Sequence, residues 1–232
     1  CGVRTGKLVS EVVTKSPPSP LKPTDTLEAV AAIIRDLTWR GPFGIGYPGV
    51  VRDGVCYSAA NVSDEWMERD ALRLFSGITT QKVTVINDAD AAGLAELRFG
   101  AAREEAHSRG GTVLMLTLGT GIGSAFFHQG HLFPNTEFGH IELNGGDAEK
   151  WAAASVRTDL NLGWEEWAQR LDRYLIEMEK LVSPDLIVLG GGVSENFKNF
   201  RDFLSTRARV VKAQLGNDAG ILGAALAVDY FL

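Results

Sequence analysis

An amide and a carboxylate stand side by side at Asn87 and Asp88, after the β-branched segment 82–86 and before an alanine-rich segment. A carboxylate that faces a ligand can accept a proton from a substrate hydroxyl, while a neighbouring amide holds that substrate in place. The same residue types are favoured as helix N-caps, because their side chains accept hydrogen bonds from free backbone N–H groups. The sequence around the pair leaves both interpretations open.

A second polar group occupies residues 135–142, where Glu137 and His140 stand three residues apart in a segment rich in turn formers. The two side chains could converge on a polyol, since a carboxylate accepts hydroxyl protons and an imidazole can accept or donate. A lone histidine is more often structural or on the surface. A metal site would need further ligands, and His128 and His131 lack a useful spacing to cysteine.

Two glycine-rich turns could bind phosphate, because glycine has no Cβ to block backbone N–H groups. Either could instead be a bare turn. The first fails the dinucleotide-binding G-x-G-x-x-G pattern, since Ser124 takes its last position and a strand follows, and it lacks the Gly-Lys-Ser/Thr of a Walker A loop. The candidate phosphate-binding residues are Gly119, Thr120, Gly121 and Gly123 in the first turn and Gly190, Gly191 and Gly192 in the second.

An alternation of strands and helices must position these residues. Apolar periodicity and breaker residues predict strands at 44–48, 82–86, 112–118, 124–128 and 186–189, and helices at 24–36, 64–75, 89–99, 164–181, 194–206 and 219–228. Hairpins are predicted about residues 4–7 and 53–54. We expect a small N-terminal α/β domain of residues 1–110, completed by the C-terminal helix 219–232, and a larger domain of residues 111–218.

Composition narrows the class of protein. The 232 residues, 45% hydrophobic and 22% charged, are typical of a globular chain. A net charge of -6 argues against a general nucleic-acid binder. The two cysteines, Cys1 and Cys56, are too few for a disulfide framework and favour a reducing, cytoplasmic compartment. We expect no membrane span and no signal peptide.

Four segments in this order resemble the ROK family of sugar kinases, and within it most of all the glucokinases that use polyphosphate. They are NDADAAGLAE (87–96), LTLGTGIGSA (116–125), PNTEFGHIE (134–142) and PDLIVLGGGVS (184–194). Segments 47–62 and 217–225 extend the resemblance over nearly the whole chain. It implies the actin-like ATPase fold, which is ribonuclease H-like, with two α/β domains around a cleft, and phosphorylation of glucose on its 6-hydroxyl group.

The resemblance also implies roles for single residues. Asp88 matches the catalytic base of the family, and the two glycine-rich turns match donor-binding positions. The expected donor is polyphosphate, with ATP left open as a second donor, accompanied by Mg²⁺. Apart from the resemblance, small-residue helices and exposed aromatic residues favour a homodimer, and composition favours neither nucleic-acid nor membrane partners. The alternatives are a ROK hexokinase or mannokinase that uses only ATP, or a catalytically silent sugar-binding protein. The implied sugar-binding residues are Asn61, Asn87, Glu137, His140 and, in a segment that differs from the family pattern, Glu149.

Two departures from the family pattern matter. Many ROK kinases carry a cysteine-rich zinc motif shortly after the position of His140, but residues 144–151 contain no cysteine, so we expect no structural zinc. The family also begins with a strand and an Asp-x-Gly-Gly phosphate loop, and this sequence starts at what resembles the following strand. We therefore expect a fragment of a longer kinase rather than a natural loss of that loop, which would lower the rate by orders of magnitude.

Overall fold

The computed structural model describes residues 5–59, 61–108 and 111–230. Its strands are β1 Phe43–Tyr47, β2 Val51–Arg52, β3 Val55–Cys56, β4 Val83–Asn87, β5 Thr112–Leu118, β6 Ile122–His128, β7 His131–Phe133, β8 Glu142–Leu143, β9 Gly146–Asp147, β10 Leu186–Gly190 and β11 Arg209–Lys212. Its α-helices are α1 Pro23–Asp36, α2 Ala71–Ser76, α3 Asp88–Phe99, α4 Arg103–Ser108, α5 Glu149–Ala152, α6 Ala154–Asp159, α7 Trp164–Val182 and α8 Ala219–Tyr230. Among the described residues, no helix is both long enough and apolar enough to cross a bilayer.

The packing divides the chain into two units inside α3: residues 1–92 with 220–232, and residues 93–219. The predicted domain limits at 110 and 218 stay a prediction, and the packing units differ from them mainly over residues 93–110. Glu96 in the second half of α3 accepts hydrogen bonds from the N–H groups of Gln214 and Leu215 at 2.9 and 2.7 Å. These bonds place that half of the helix with the second unit.

In the first unit, β1 and β4 pair in parallel, with Tyr47 beside Asn87 at their carboxyl ends. Both strands are rich in β-branched or aromatic residues and pack on a core that includes Trp66 and Phe75. The helix α8 approaches β1 closely, since a Cβ at Gly44 would collide with the backbone of Ala224. This unit thus fixes the strand that ends at Asn87.

The second unit is built on a five-stranded sheet in the order β11-β10-β5-β6-β7. The strands β5, β10 and β11 run parallel, whereas β5, β6 and β7 form an antiparallel meander. The 19-residue helix α7 buries an apolar stripe against this sheet, including Trp167, Leu171 and Leu175. Both glycine-rich turns follow strands of this sheet, one after β5 and one after β10.

The predicted α/β class and the predicted long elements are confirmed, but three local predictions are wrong or only partly covered. The predicted helix 64–75 is broken, because Glu68 has a φ of 59° and Asp70 forms an isolated bridge to Val55 before α2 begins. The predicted helix 194–206 is instead two short 3₁₀ segments, 192–199 and 201–203. Part of the predicted hairpin around residues 4–7 lies outside the described residues, and residues 8–22 form neither helix nor strand.

Candidate functional site

The Asn87 side chain acts as the cap of α3. Its Oδ1 atom accepts a hydrogen bond from the N–H group of Asp90 at 2.9 Å, and its Nδ2 atom donates to the carbonyl oxygen of Gly49 at 3.0 Å. The side chain is buried, with 5% of its surface exposed. The capping interpretation therefore holds for Asn87, which leaves one N–H and one lone pair for any ligand.

Asp88 is the first residue of α3 and occupies the carboxyl end of the strand pair. Its Oδ1 atom accepts a hydrogen bond from the N–H group of Ala89 at 2.8 Å. The residue is exposed, yet enough protein surrounds the carboxyl group that partial desolvation raises its pKa, against the opposing effect of the Ala89 hydrogen bond. A carboxylate that is accessible and more basic than usual is suited to accept a proton.

A ring of carboxylates surrounds the His140 imidazole in the second unit. Its Nε2 atom lies 3.8 Å from an oxygen of Glu137, and its Nδ1 atom lies 3.7 Å from Asp147 and 4.0 Å from Glu149. These separations are too long for direct hydrogen bonds and suit bridging hydroxyl groups. Lys150 lies 2.9 Å from Asp147 and is the main reason why the pKa of that carboxyl group is lowered. The cluster therefore offers several acceptors to a polyol.

Ser124 fixes the segment that carries Glu137 and His140. The Ser124 hydroxyl donates to the carbonyl oxygen of Thr136 at 2.7 Å and accepts from the N–H group of Phe138 at 3.1 Å. The Thr136 hydroxyl in turn donates to the carbonyl oxygen of Ser124 at 3.0 Å. Because Ser124 and Thr136 are both buried, these bonds hold the segment firmly on β6.

Glu149 joins the carboxylate ring to the first glycine-rich turn. Its Oε2 atom accepts a hydrogen bond from the N–H group of Ile122 at 3.1 Å, and a Cβ at position 121 would lie only 2.3 Å from the same oxygen. Burial, and then the charge of Glu149, raise the pKa of the fully buried Tyr174, which therefore stays a neutral phenol. Glycine at position 121 therefore leaves room for the Glu149 carboxylate beside this turn.

The first glycine-rich turn borders a cavity of about 420 Å³ in the second unit. Gly119 and Thr120 line it together with Gly192 from the second turn. Ser155 on α6 clamps the first turn, since its N–H group donates to the carbonyl oxygen of Gly119 at 3.0 Å and its hydroxyl donates to that of Thr120 at 2.7 Å. A cavity of this size is in the range of small-molecule sites.

The remaining predicted residues are not brought into that cavity. Gly121 contacts Glu149, Gly123 pairs with Thr117 inside the sheet, and Gly190 ends β10. Gly191 forms the turn before the 3₁₀ segment, with a φ of 80°. Asn61 is exposed in the loop after β3, in the first unit.

Sequence reasoning missed Asp147, Ser155 and the bracing roles of Ser124 and Glu149. Asp147 reaches His140 because β8 and β9 form a hairpin that pairs it with Glu142, with Asn144 and Gly145 at positive φ in the turn. The sequence does contain a signal for that hairpin, since an Asn-Gly dipeptide favours a two-residue turn. The contacts of Ser155 depend on tertiary packing and leave no local pattern.

Comparison with known proteins agrees with the resemblance of the motifs. The sequence pattern of the ROK family matches residues 4–156. The polyphosphate glucokinase of Mycobacterium tuberculosis (strain CDC 1551 / Oshkosh) is 43% identical over 224 residues, which span 96% of this chain and 83% of that protein.

Solved structures give the same result. The inorganic polyphosphate/ATP-glucomannokinase of Arthrobacter sp. strain KM is 41% identical and superposes with a TM-score of 0.92, covering all of this chain and 93% of its own. A ROK family glucokinase from Streptomyces griseus, at 24% identity and a TM-score of 0.72 over 91% of this chain and 89% of its own, shares the fold. The fold is the predicted actin-like ATPase fold, and the chain belongs to the ROK family.

Proposed function

We propose that this protein transfers a phosphoryl group from inorganic polyphosphate to the 6-hydroxyl group of glucose. The observation that carries the proposal is the similarity, at 43% identity over 96% of the chain, to a polyphosphate glucokinase. Each unit contains parts that such a reaction needs: the first has an accessible carboxylate of raised pKa, and the second has a carboxylate-lined cluster for a polyol and a glycine-bordered cavity for phosphates.

Asp88 is the proposed general base. In the reaction its carboxylate accepts the proton of the 6-hydroxyl group while the hydroxyl oxygen bonds to the terminal phosphorus and the bridging phosphoanhydride bond breaks. The electron pair of that bond leaves with the shortened polyphosphate. The partial desolvation that raises the pKa of Asp88 makes it a better proton acceptor than an ordinary aspartate.

Glucose hydroxyl groups are proposed to bind between His140 and its surrounding carboxylates. The Nδ1 atom of His140 lies 3.7 Å from an oxygen of Asp147 and 4.0 Å from an oxygen of Glu149. A sugar hydroxyl group placed between two such atoms can form a hydrogen bond with each of them. In the first unit Asn87 keeps one amide N–H, and the sugar-binding roles of Asn87 and Asn61 stay predictions from the family resemblance. Several such contacts would fix the orientation of the sugar, which is a large part of catalysis in phosphoryl transfer.

The phosphate donor is proposed to occupy the cavity beside Gly119, Thr120 and Gly192. Within the described part of the chain, no group of three or more His, Cys, Asp or Glu side chains is arranged to hold a metal. A Mg²⁺ ion that accompanies the donor would fit this arrangement, because Mg²⁺ keeps several waters and binds mostly through phosphate oxygens. When bound, the ion neutralises charge on the transferred group.

A second candidate activity uses ATP as donor and mannose as acceptor. The specific observation in its favour is the 41% identity to a protein described as a polyphosphate/ATP-glucomannokinase. Both activities would use the same base and the same sugar cluster, so they differ only in donor and acceptor preference.

The test is phosphorylation by the purified full-length protein, with each donor supplied separately and each sugar tested with each donor. Glucose 6-phosphate is measured through NADPH formation by a coupling dehydrogenase. We expect polyphosphate to support turnover of glucose. Transfer from ATP alone would replace the donor in the proposal, and tight glucose binding without transfer from either donor would favour a silent sugar-binding protein.

Replacing Gly121 by Ala should weaken glucose binding. The new Cβ would lie 2.3 Å from the Oε2 atom of Glu149, the movable end of a side chain, so the carboxylate must leave the N–H group of Ile122. The displaced Glu149 carboxylate would then lose its proposed charge-assisted contact with a glucose hydroxyl group, which raises the KM for glucose about tenfold. Gly220→Ala is the control, because among the described residues the added Cβ would have no atom within 4 Å beyond its chain neighbours and the backbone of its own helix. Unchanged KM in Gly121→Ala would contradict the proposed role of Glu149.

A further inference from the structure

Arg157 on α6 points a cation at the cavity beside the glycine-rich turns, which it helps to line with Trp164 and Asn196. The Cζ atom of its guanidinium group lies 3.7 Å from the centroid of the Trp164 ring. At that distance the flat guanidinium is in contact with the indole face, so the pair has the geometry of a cation–π stack.

Among the described residues, no carboxylate pairs with the charge of Arg157. Its Nε–H group is buried and has no hydrogen-bond partner in the part of the chain that the structure describes. No ion pair between described residues involves Arg157, whereas Arg209 and Arg207 in the same unit each lie within 4.0 Å of a carboxylate. A half-buried guanidinium without a carboxylate partner favours an anionic ligand, because an unmatched buried charge is costly.

The face of the Trp164 indole next to Arg157 is covered by the guanidinium group. Arg157 covers it at contact distance, and the indole also stacks with the buried Phe200 at a centroid separation of 6.1 Å and an interplanar angle of 20°. An aromatic residue in a cavity is often a platform for a planar ligand such as a nucleobase. Here the position that such a base would take is filled by the guanidinium group.

Hydrogen bonds from the same helix fix the position of Arg157 relative to the first glycine-rich turn. Ser155, two residues earlier on the same helix, makes two hydrogen bonds to the carbonyl oxygens of Gly119 and Thr120. The cation–π stack orients the guanidinium group itself, so little side-chain entropy is lost when an anion binds. In a protein of net charge -6, a polyanion needs such a local cation.

We propose that Arg157, stacked on Trp164, binds the phosphate chain of inorganic polyphosphate and closes the indole face to a nucleobase, so that it sets the preference for polyphosphate over ATP. The inference rests on the proposed function, because it assumes that the cavity receives the donor. Arg157 is a specificity residue in this scheme: it binds donor phosphates and leaves the proton transfer to Asp88.

The experiment compares wild type with Arg157→Ala and Arg157→Lys. Binding of inorganic polyphosphate is measured by titration calorimetry without glucose, and KM and kcat are measured separately with polyphosphate and with ATP. Removing a charge-assisted contact should weaken polyphosphate binding, and raise its KM, about tenfold. The KM for ATP should stay the same or fall, because the indole face is uncovered. Lysine should restore only part of the polyphosphate binding, since it keeps the charge without the planar stack.

Arg173→Ala is the matched control. Arg173 also lies over an indole, that of Trp151 at 5.5 Å, but it is exposed and does not line the cavity. We expect wild-type binding and kinetics from it, and thermal unfolding verifies that all variants fold. Should Arg157→Ala destabilise the fold, the lysine variant still tests the stack.

The outcomes separate the two proposals. If wild type uses polyphosphate and Arg157→Ala binds it equally well with the same ratio of KM values, the role of Arg157 is overturned while the proposed function stands. If wild type neither binds nor uses polyphosphate but turns over ATP, the proposed donor is wrong, and with it the assignment of Arg157.

Discussion

Replacing Asp88 by Asn should lower the kcat for glucose phosphorylation by roughly 10²- to 10⁴-fold, which is the usual contribution of a general base. An amide has nearly the same shape and its Oδ1 atom can still accept the hydrogen bond from the N–H group of Ala89. It cannot accept the proton of the attacking hydroxyl. Binding of glucose should therefore persist when turnover is lost, and calorimetric titration with glucose measures this directly.

The control for Asp88→Asn is Asp64→Asn. Asp64 is also an exposed aspartate at the start of a helical turn in the first unit, but it lies in the 3₁₀ segment before α2 rather than at the end of β4. Its replacement should leave kcat unchanged. A kcat for Asp88→Asn within tenfold of wild type would remove Asp88 from the role of base.

The raised pKa of Asp88 predicts how wild-type activity, and the difference in stability from Asp88→Asn, change with pH. Partial desolvation raises the pKa of Asp88 in the folded protein, so the acid limb of kcat/KM should lie above the ordinary aspartate value of about 3.9. Over the interval between the unfolded and folded pKa values the folded state binds more protons, so stability contributed by this group falls as pH rises. At neutral pH Asp88→Asn should therefore unfold at the same temperature as wild type or slightly higher, and the difference should vanish below the unfolded pKa.

Local signals in the sequence were sufficient where the chain repeats a simple period. The strand before Asn87 and the helix after it follow from β-branched residues giving way to alanines, and β1 and α7 follow from equally regular patterns. The pair Asn87-Asp88 also illustrates why two interpretations of one motif need not compete. Asn87 caps the helix and thereby leaves the next carboxylate at the end of the strand.

The parts of the site that sequence could not predict depend on contacts between distant segments. Arg157 lies in a short helix with no recognisable motif, and its proposed role depends on its stacking with Trp164 and on its place in the lining of the cavity. The break at Glu68 has no signal in the sequence either. The apolar residues of 64–75 keep a helical period, although Glu68 has a positive φ that interrupts the helix. In each case tertiary packing decides, which local propensity does not encode.

The largest effect on folding is expected from Gly191→Ala. Gly191 has a φ of 80° and a ψ of 170°, a region of positive φ that is occupied essentially only by glycine, so alanine there costs about 1–3 kcal/mol. An added Cβ would also lie 2.3 Å from the carbonyl oxygen of Leu118 and 2.7 Å from its carbonyl carbon and its nitrogen. These are backbone atoms at the buried end of β5 and cannot rotate away, so overpacking adds about 1–3 kcal/mol. The sum of about 2–6 kcal/mol should lower the melting temperature by roughly 4–24 °C.

Gly192→Ala, one residue later, is the matched control. Among the described residues, no atom beyond Gly192 and its two chain neighbours lies within 4 Å of a Cβ at that position, so calorimetry should find its melting temperature close to wild type. If Gly191→Ala has the same melting temperature as Gly192→Ala, the turn after β10 does not hold Gly191 against the backbone of Leu118. A Gly191→Ala protein that still folds must shift Leu118, whose neighbour Gly119 borders the cavity proposed for the phosphate donor. Its KM for the phosphate donor should then rise more than its KM for glucose, because the carboxylates around His140 meet this turn only where Glu149 bonds to the N–H group of Ile122.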